Sequence, residues 1–260
     1  MPTTNQLQSP KKLILAFGGS TSDVACVKEN NTSWPNELEG NKFDMLRSQA
    51  KEITAKDKEI EQSLNIDLSK PLVLFTQHSV TTEFNQSTQQ LLPSLDAIEK
   101  LAGEGIQIIL TYPNNDAGGI EIFETINSHT KNIKNSIVRE SLGRKLYWGL
   151  LNLSKDPRKN IICIGNSSSG IKETATFSCP TINIGTRQKG RLRSTNIIDC
   201  DYNDEQIYMA IKKCLDDDAF KAICATSVNP YGLGGAGEKI ANHLSNVEFN
   251  DKLLTKKMTI

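Results

Sequence analysis

Residues 161 to 193 read IICIGNSSSGIKETATFSCPTINIGTRQKGRLR, and that order admits few folds. The apolar run Ile161, Ile162, Cys163, Ile164 fits a buried strand. Gly165 to Gly170 is a turn made only of Gly, Asn and Ser. Ile171, Ala175 and Phe177 have helical spacing, and Pro180 must end that helix. Thr181 to Ile184 is a second short strand, and a basic loop, Gly185 to Arg193, comes next. Strand, small turn, helix, strand, basic loop is the pattern of a parallel α/β sheet, in which both loops open on one edge.

That edge suits an anion. A helix start offers unpaired N–H groups and the positive end of a dipole. Small residues let a phosphate approach the backbone. Ser167, Ser168 and Ser169 add hydroxyl donors, and Arg187, Lys189, Arg191 and Arg193 add charge. Glu173 is placed to accept from a sugar or ribose hydroxyl. The residues alone equally allow a Ser-rich helix cap beside a solvated basic loop.

The rest of the chain fits the same architecture. Leu72–Phe75, Ile106–Leu110, Ser136–Val138 and Asn196–Asp199 read as strands. Between them, Ser87–Gly103, Ile120–Lys131, Lys145–Leu153, Asp204–Leu215, Asp216–Ala225 and Gly235–Leu244 read as helices. Lys42–Leu64 carries an apolar stripe, with a break expected at Thr54–Asp57. Leu13–Phe17 is a further strand that leads into a turn of Gly, Ser and Thr. His78 ends a core strand, at the edge where α/β ligands bind, although for a lone histidine a helix cap or a buried structural role is the favoured reading. Asn114 and Asp116 lie in the polar turn after the next strand, where an Asx turn and a helix cap are the simpler reading.

The 260 residues carry 30 Lys plus Arg against 30 Asp plus Glu, which argues against a nucleic-acid scaffold and makes the basic loop a local feature. Six scattered cysteines without a CxxC pair suit reduced thiols in a cytoplasmic setting, with no metal site. No stretch approaches the length of a membrane span, so no membrane partner is expected.

GNSSSGIKE followed by PTINIGTRQKGR resembles the UDP-N-acetylglucosamine 2-epimerase family, in its hydrolysing branch of sialic and legionaminic acid synthesis. Further words of that family appear in order. His78-Ser79-Val80-Thr81-Thr82 resembles its His-Pro-Val-Thr-Thr, with Ser79 in the place of proline. Tyr112-Pro113-Asn114-Asn115-Asp116-Ala117-Gly118 and Asn229-Pro230-Tyr231-Gly232-Leu233-Gly234 are two more, the latter with Leu233 in the place of aspartate. Residues 154–160 look like a small loop insertion.

The resemblance implies a Rossmann-like α/β domain with a parallel sheet, the C-terminal half of a glycosyltransferase-B-like fold with a truncated N-terminal part. Residues 1–65 would be the remnant of that part, 66–248 the UDP-binding domain and 249–260 a loose tail. It implies His78 at the active site and UDP contacts from His78, Asn114, Leu142, Ser167, Ser168, Glu173 and Arg187. The serines and Arg187 would hold the pyrophosphate, Glu173 the ribose, and the backbone at Leu142 the uracil. The expected activity converts UDP-N-acetylglucosamine, or a UDP-diacetamido sugar, to a free 2-epimer and UDP by elimination and water addition, without a cofactor. The expected partners are the UDP-sugar, a second copy of the chain or a separate N-terminal half. Two other readings are a UDP-sugar-binding remnant without turnover and a related UDP-sugar glycosyltransferase.

Overall fold

The computed structural model describes residues 14–16, 24–26, 56–131, 133–156, 158–232 and 236–248. Two short strands near the start, β1 (Ile14–Ala16) and β2 (Val24–Cys26), pair antiparallel, with Ile14 opposite Cys26. The turn of Gly, Ser and Thr expected between them lies outside the described residues. Of the expected striped helix, residues 42–55 lie outside the described residues. Its remaining part is α1 (Asp57–Leu64), which ends at Asn65 in the left-handed region.

The apolar runs farther along the chain become six parallel strands. They are β3 (Leu72–Thr76), β4 (Gln107–Thr111), β5 (Ser136–Arg139), β6 (Ile161–Gly165), β7 (Thr181–Ile184) and β8 (Ile197–Cys200). Between β3 and β6 the connecting helices are α2 (Ser87–Gly103), α3 (Gly119–Thr130) and α4 (Gly143–Leu153). After β6 come the one-turn α5 (Ser168–Lys172) and a 3-10 turn over Thr174–Phe177. After β8 come α6 (Asp204–Asp216), α7 (Asp218–Ala225) and α8 (Ala236–Asn246). Asp217 separates α6 from α7, because its carboxylate caps α7 at the Phe220 N–H, 3.0 Å away. By packing, Leu46–Leu233 form one unit, while Met1–Met45 together with Gly234–Ile260 form another.

Strands β3, β4, β6 and β7 are buried on both faces, which is why they read as unbroken apolar runs. Alternate side chains serve opposite layers. Val73, Phe75, Ile108, Leu110, Ile162 and Ile164 pack with α2, α3, α6 and α7. The opposite face carries α4, with Tyr147 against Cys163. Each fully buried side chain, such as Phe75 or Leu95, contributes about 1.5–3 kcal/mol. The edge strand β5 is only half-buried.

The strand order is β5-β4-β3-β6-β7-β8. The chain builds outward from β3 to β5, then returns to the other side of β3 and builds outward again. The crevice between β3 and β6 is therefore the topological switch point, where open α/β sheets bind ligands beyond the carboxyl ends of their strands. In the β3–β6 register Thr76 lies opposite Gly165.

Candidate functional site

Beyond the ends of β3, β4, β6 and β7, five residues close a ring of polar contacts. His78 comes just after β3, and Asn166 just after β6, 88 residues later. The Asn166 side chain grips the His78 backbone twice: Oδ1 accepts from the His78 N–H at 2.7 Å, and Nδ2 donates to the His78 carbonyl at 2.8 Å. Its own N–H donates to the Thr76 carbonyl at 3.1 Å. An asparagine with both side-chain groups used in this way continues the β3–β6 ladder past the last backbone pair.

From β4, the Asn114 N–H donates to His78 Nδ1 at 3.0 Å, and Asn114 Nδ2 donates to Asp116 Oδ2 at 2.6 Å. From the loop after β7, Arg187 Nη1 donates to the Asn166 carbonyl at 3.2 Å, and Nη2 faces Asp116 Oδ2 at 3.7 Å. Gln188 Nε2 donates to the same Asn166 carbonyl at 2.7 Å. The family words in the sequence point to His78, Asn114 and Arg187 but not to Asn166 and Gln188, which are both 1% exposed. The signal for Asn166 is an asparagine directly after a buried strand, a position where a side-chain amide can pair with the next strand end.

The ring fixes the state of His78. An imidazole whose Nδ1 accepts a hydrogen bond carries its proton on Nε2. Burial, and then the nearby Arg187 charge, hold its pKa down at about 4, with Asp116 acting weakly in the other direction. At neutral pH His78 is thus an uncharged Nε2–H donor, and its Nε2 has no hydrogen-bond partner among the described residues. The expected outcome by NMR is a His78 imidazole titrating near pH 4 rather than at its ordinary 6.5. Stability then depends on pH in one direction. Above 6.5 the residue is neutral in folded and unfolded chains alike; as pH falls from 6.5 towards 4, only the unfolded chain gains the proton, and stability is lost. A His78→Gln variant should show a flatter stability profile in that window, and a normal titration of His78 in the intact chain would contradict the ring.

The serine turn is less uniform than its sequence. Ser167 caps α5, its side chain accepting from the Ser169 N–H at 3.4 Å. Ser169 turns inward and donates to the Tyr147 hydroxyl at 2.5 Å. Ser168 has no hydrogen-bond partner for its hydroxyl among the described residues, so it remains available on the edge. The helix expected to run to Pro180 is five residues long before it tightens into the 3-10 turn, so its dipole is small. Any anion here is held by local N–H groups, hydroxyls and Arg187 more than by a helix field.

The four cations also divide. Arg193 donates to Asp199 at 2.6 Å and to the Arg191 carbonyl, also at 2.6 Å, and is thereby committed to its own loop. Lys189 and Arg191 are exposed. Arg187 alone of the four reaches the strand ends. Glu173 is buried beneath the serine turn, where Oε2 accepts from the Trp148 indole N–H at 2.9 Å. Leu142 lies past the end of β5, two strands from β3, and caps α4. No hydrogen bond joins its turn to the ring among the described residues. Cys163, Cys179, Cys200, Cys214 and Cys224 are free thiols. No group of three or more His, Cys, Asp or Glu side chains that could hold a metal ion occurs among the described residues. No helix of the described residues is long and apolar enough to cross a membrane.

Comparison with known proteins bears on this geometry. The profile of the family described as UDP-N-acetylglucosamine 2-epimerase matches residues 40–245. A Campylobacter jejuni protein named GDP/UDP-N,N'-diacetylbacillosamine 2-epimerase (hydrolyzing) is 36% identical over 148 residues, 56% of this chain and 36% of that protein. A Legionella pneumophila UDP-N,N'-diacetylbacillosamine 2-epimerase (hydrolyzing) is 29% identical over 195 residues, 75% of this chain and 48% of that protein. Among solved structures, the Neisseria meningitidis UDP-GlcNAc 2-epimerase bound to UDP-GlcNAc aligns with a TM-score of 0.59 at 15% identity, covering 78% of this chain and 51% of that one. The Methanocaldococcus jannaschii UDP-GlcNAc 2-epimerase in complex with UDP-GlcNAc and UDP aligns with a TM-score of 0.57 at 18% identity, covering 79% and 53%. The chain thus spans about half the length of these relatives or less, and its parallel sheet corresponds to one Rossmann-like half of their glycosyltransferase-B-like fold. The chain belongs to the UDP-N-acetylglucosamine 2-epimerase family.

Proposed function

We propose that this chain holds the uridine diphosphate part of a UDP-sugar for a hydrolysing 2-epimerase reaction. The observation that carries the reading is the ring of His78, Asn114, Asp116, Arg187 and Asn166 at the switch point, with a half-buried guanidinium and an Nε2–H donor on one edge. Arg187, Ser167 and Ser168 take the diphosphate, Glu173 the ribose, and Asn114 and the backbone at Leu142 the uridine side. Trp148 fixes the Glu173 carboxylate for that task.

In the reaction, a base takes the C2 proton of the sugar, the C1–O bond to UDP breaks, and the electrons of the C2–H bond form a C1=C2 double bond. Water then adds across the glycal, with hydroxyl at C1 and a proton at C2 on the opposite face, and the free 2-epimer results. The residues of this chain act on the leaving group. Arg187 neutralises the charge that grows on the departing diphosphate, in a site prearranged for it. His78 donates Nε2–H to a diphosphate oxygen, and the approaching anion raises its pKa. The base belongs to the other domain of the fold.

The Campylobacter and Legionella relatives are named for diacetylbacillosamine, which supports a UDP-diacetamido sugar, while a Neisseria meningitidis relative, 32% identical over 145 residues, is named UDP-N-acetylglucosamine 2-epimerase and supports the alternative. A second reading, UDP holding without turnover by this chain alone, draws on its coverage of only 36% and 48% of the first two relatives. Nucleotide-sugar chemistry and free thiols support a cytoplasmic setting. At saturating UDP the melting temperature is expected to rise by about 5 °C, and uridine, which lacks phosphate, should give little shift. An absent UDP shift sinks the reading. Incubation with each UDP-sugar separates the two forms of it: release of UDP and the 2-epimer supports the enzyme, and binding without release supports the subunit.

A further inference from the structure

We propose that Asp116 competes with the diphosphate for Arg187 and so sets how fast UDP leaves; this rests on the reading of the switch-point edge as a UDP site. Two features of Asp116 are hard to account for by fold alone. Its backbone carbonyl already closes the turn by accepting from the Gly119 N–H at 2.9 Å, and α3 starts after Gly118 as its N-cap, without any side-chain cap. The carboxylate is therefore not needed to start the helix. Arg187 also has an anchor of its own, the Asn166 carbonyl at 3.2 Å. The contact of Arg187 Nη2 with Asp116 Oδ2, at 3.7 Å, is an ion pair too long for a strong hydrogen bond.

What remains is charge. Arg187 is partly withdrawn from water, its side chain 23% exposed, and in an empty site it needs a counter-charge. Asp116 supplies one, and Asn114 Nδ2 holds it in place at 2.6 Å. When a diphosphate arrives at the same guanidinium, the carboxylate becomes a like charge beside it. The attraction that balanced Arg187 in the empty site then turns into repulsion that favours departure. Release of a tightly held product commonly limits turnover, so a built-in competitor of this kind has a use. The Asp116 side chain is 38% exposed, which places the interaction between the bulk-water and interior limits.

The test is UDP binding to the full chain by calorimetry, with dissociation measured by stopped flow. Asp116→Asn keeps an oxygen for Asn114 and removes the charge. It should bind UDP about ten-fold tighter than the unaltered chain, mostly through slower release, with the gain shrinking as salt rises. If Asp116→Asn does not melt like the unaltered chain, Asp116→Ser takes its place, with the same direction expected. UDP binding that is unchanged or weaker in the variant overturns the proposal and makes Asp116 a plain positioning residue. An unaltered chain that binds no UDP overturns the site reading beneath it, and that result is obtained before any variant is made.

Discussion

Gly165→Ala is expected to cost this fold about 4 kcal/mol and to lower the melting temperature by roughly 10 °C. Gly165 ends β6 at a φ of +122°, outside the range of ordinary side chains. A Cβ built there would lie 2.0 Å from the Thr76 carbonyl oxygen and 2.6 Å from its carbon. Both are backbone atoms of β3, so nothing flexible can move aside. Relief requires β3 and β6 to part at the switch point, which would also break the Asn166 N–H bond to the same Thr76 carbonyl, now 3.1 Å long. Gly190 is the internal control. It has a φ of +82° but nothing within 4 Å of a built Cβ, so Gly190→Ala should cost only about 1 kcal/mol. Circular dichroism melts of the two variants decide the matter, and equal melting temperatures would contradict the close approach. In the sequence, the small-residue turn suggests a glycine that lets a phosphate approach. The structure gives Gly165 a nearer duty, the approach of two strands.

The elements were legible because burial on both faces leaves an unbroken apolar run, as in Leu72–Phe75 and Ile161–Ile164. Helix α2 was equally plain, since Leu91, Leu95, Ile98 and Leu101 recur on one face, although Leu92 is 37% exposed. The strand order was not legible from the residues themselves. Nothing in the sequence says that β6 returns beside β3, and only the family words brought the expected fold with them. The site was half legible for the same reason. Position past a strand left His78, Asn114 and Arg187 with plain readings, a cap, an Asx turn and one of four loop cations, and it was the family words that picked them out. Their joining depends on Asn166 reaching a residue 88 positions away. Charge was misleading in a simpler way. Four cations in one loop look alike, yet Arg193 is tied to Asp199, and two others face solvent. The serines divide likewise, because Tyr147, which draws Ser169 inward, lies in a helix 22 residues earlier.

Arg187→Ala should weaken UDP binding about 100-fold, the largest binding effect expected of any single change in the loop. Partial burial makes this guanidinium worth more than a surface charge, since water screens it less. Its loss also leaves Asp116 without the cation it faces, so an uncompensated carboxylate then repels the incoming diphosphate. Lys189→Ala and Arg191→Ala, both exposed, should cost about three-fold or less, and that cost should vanish in high salt. Arg187→Lys retains the charge but loses the fork that donates to the Asn166 carbonyl while facing the site, so it should recover only part of the affinity. Calorimetric titration of the four variants with UDP, at low and high salt, gives the ranking. If Arg187→Ala binds as tightly as Lys189→Ala, the diphosphate is held by the loop's diffuse charge, and the ring at the switch point is scaffolding rather than a binding site.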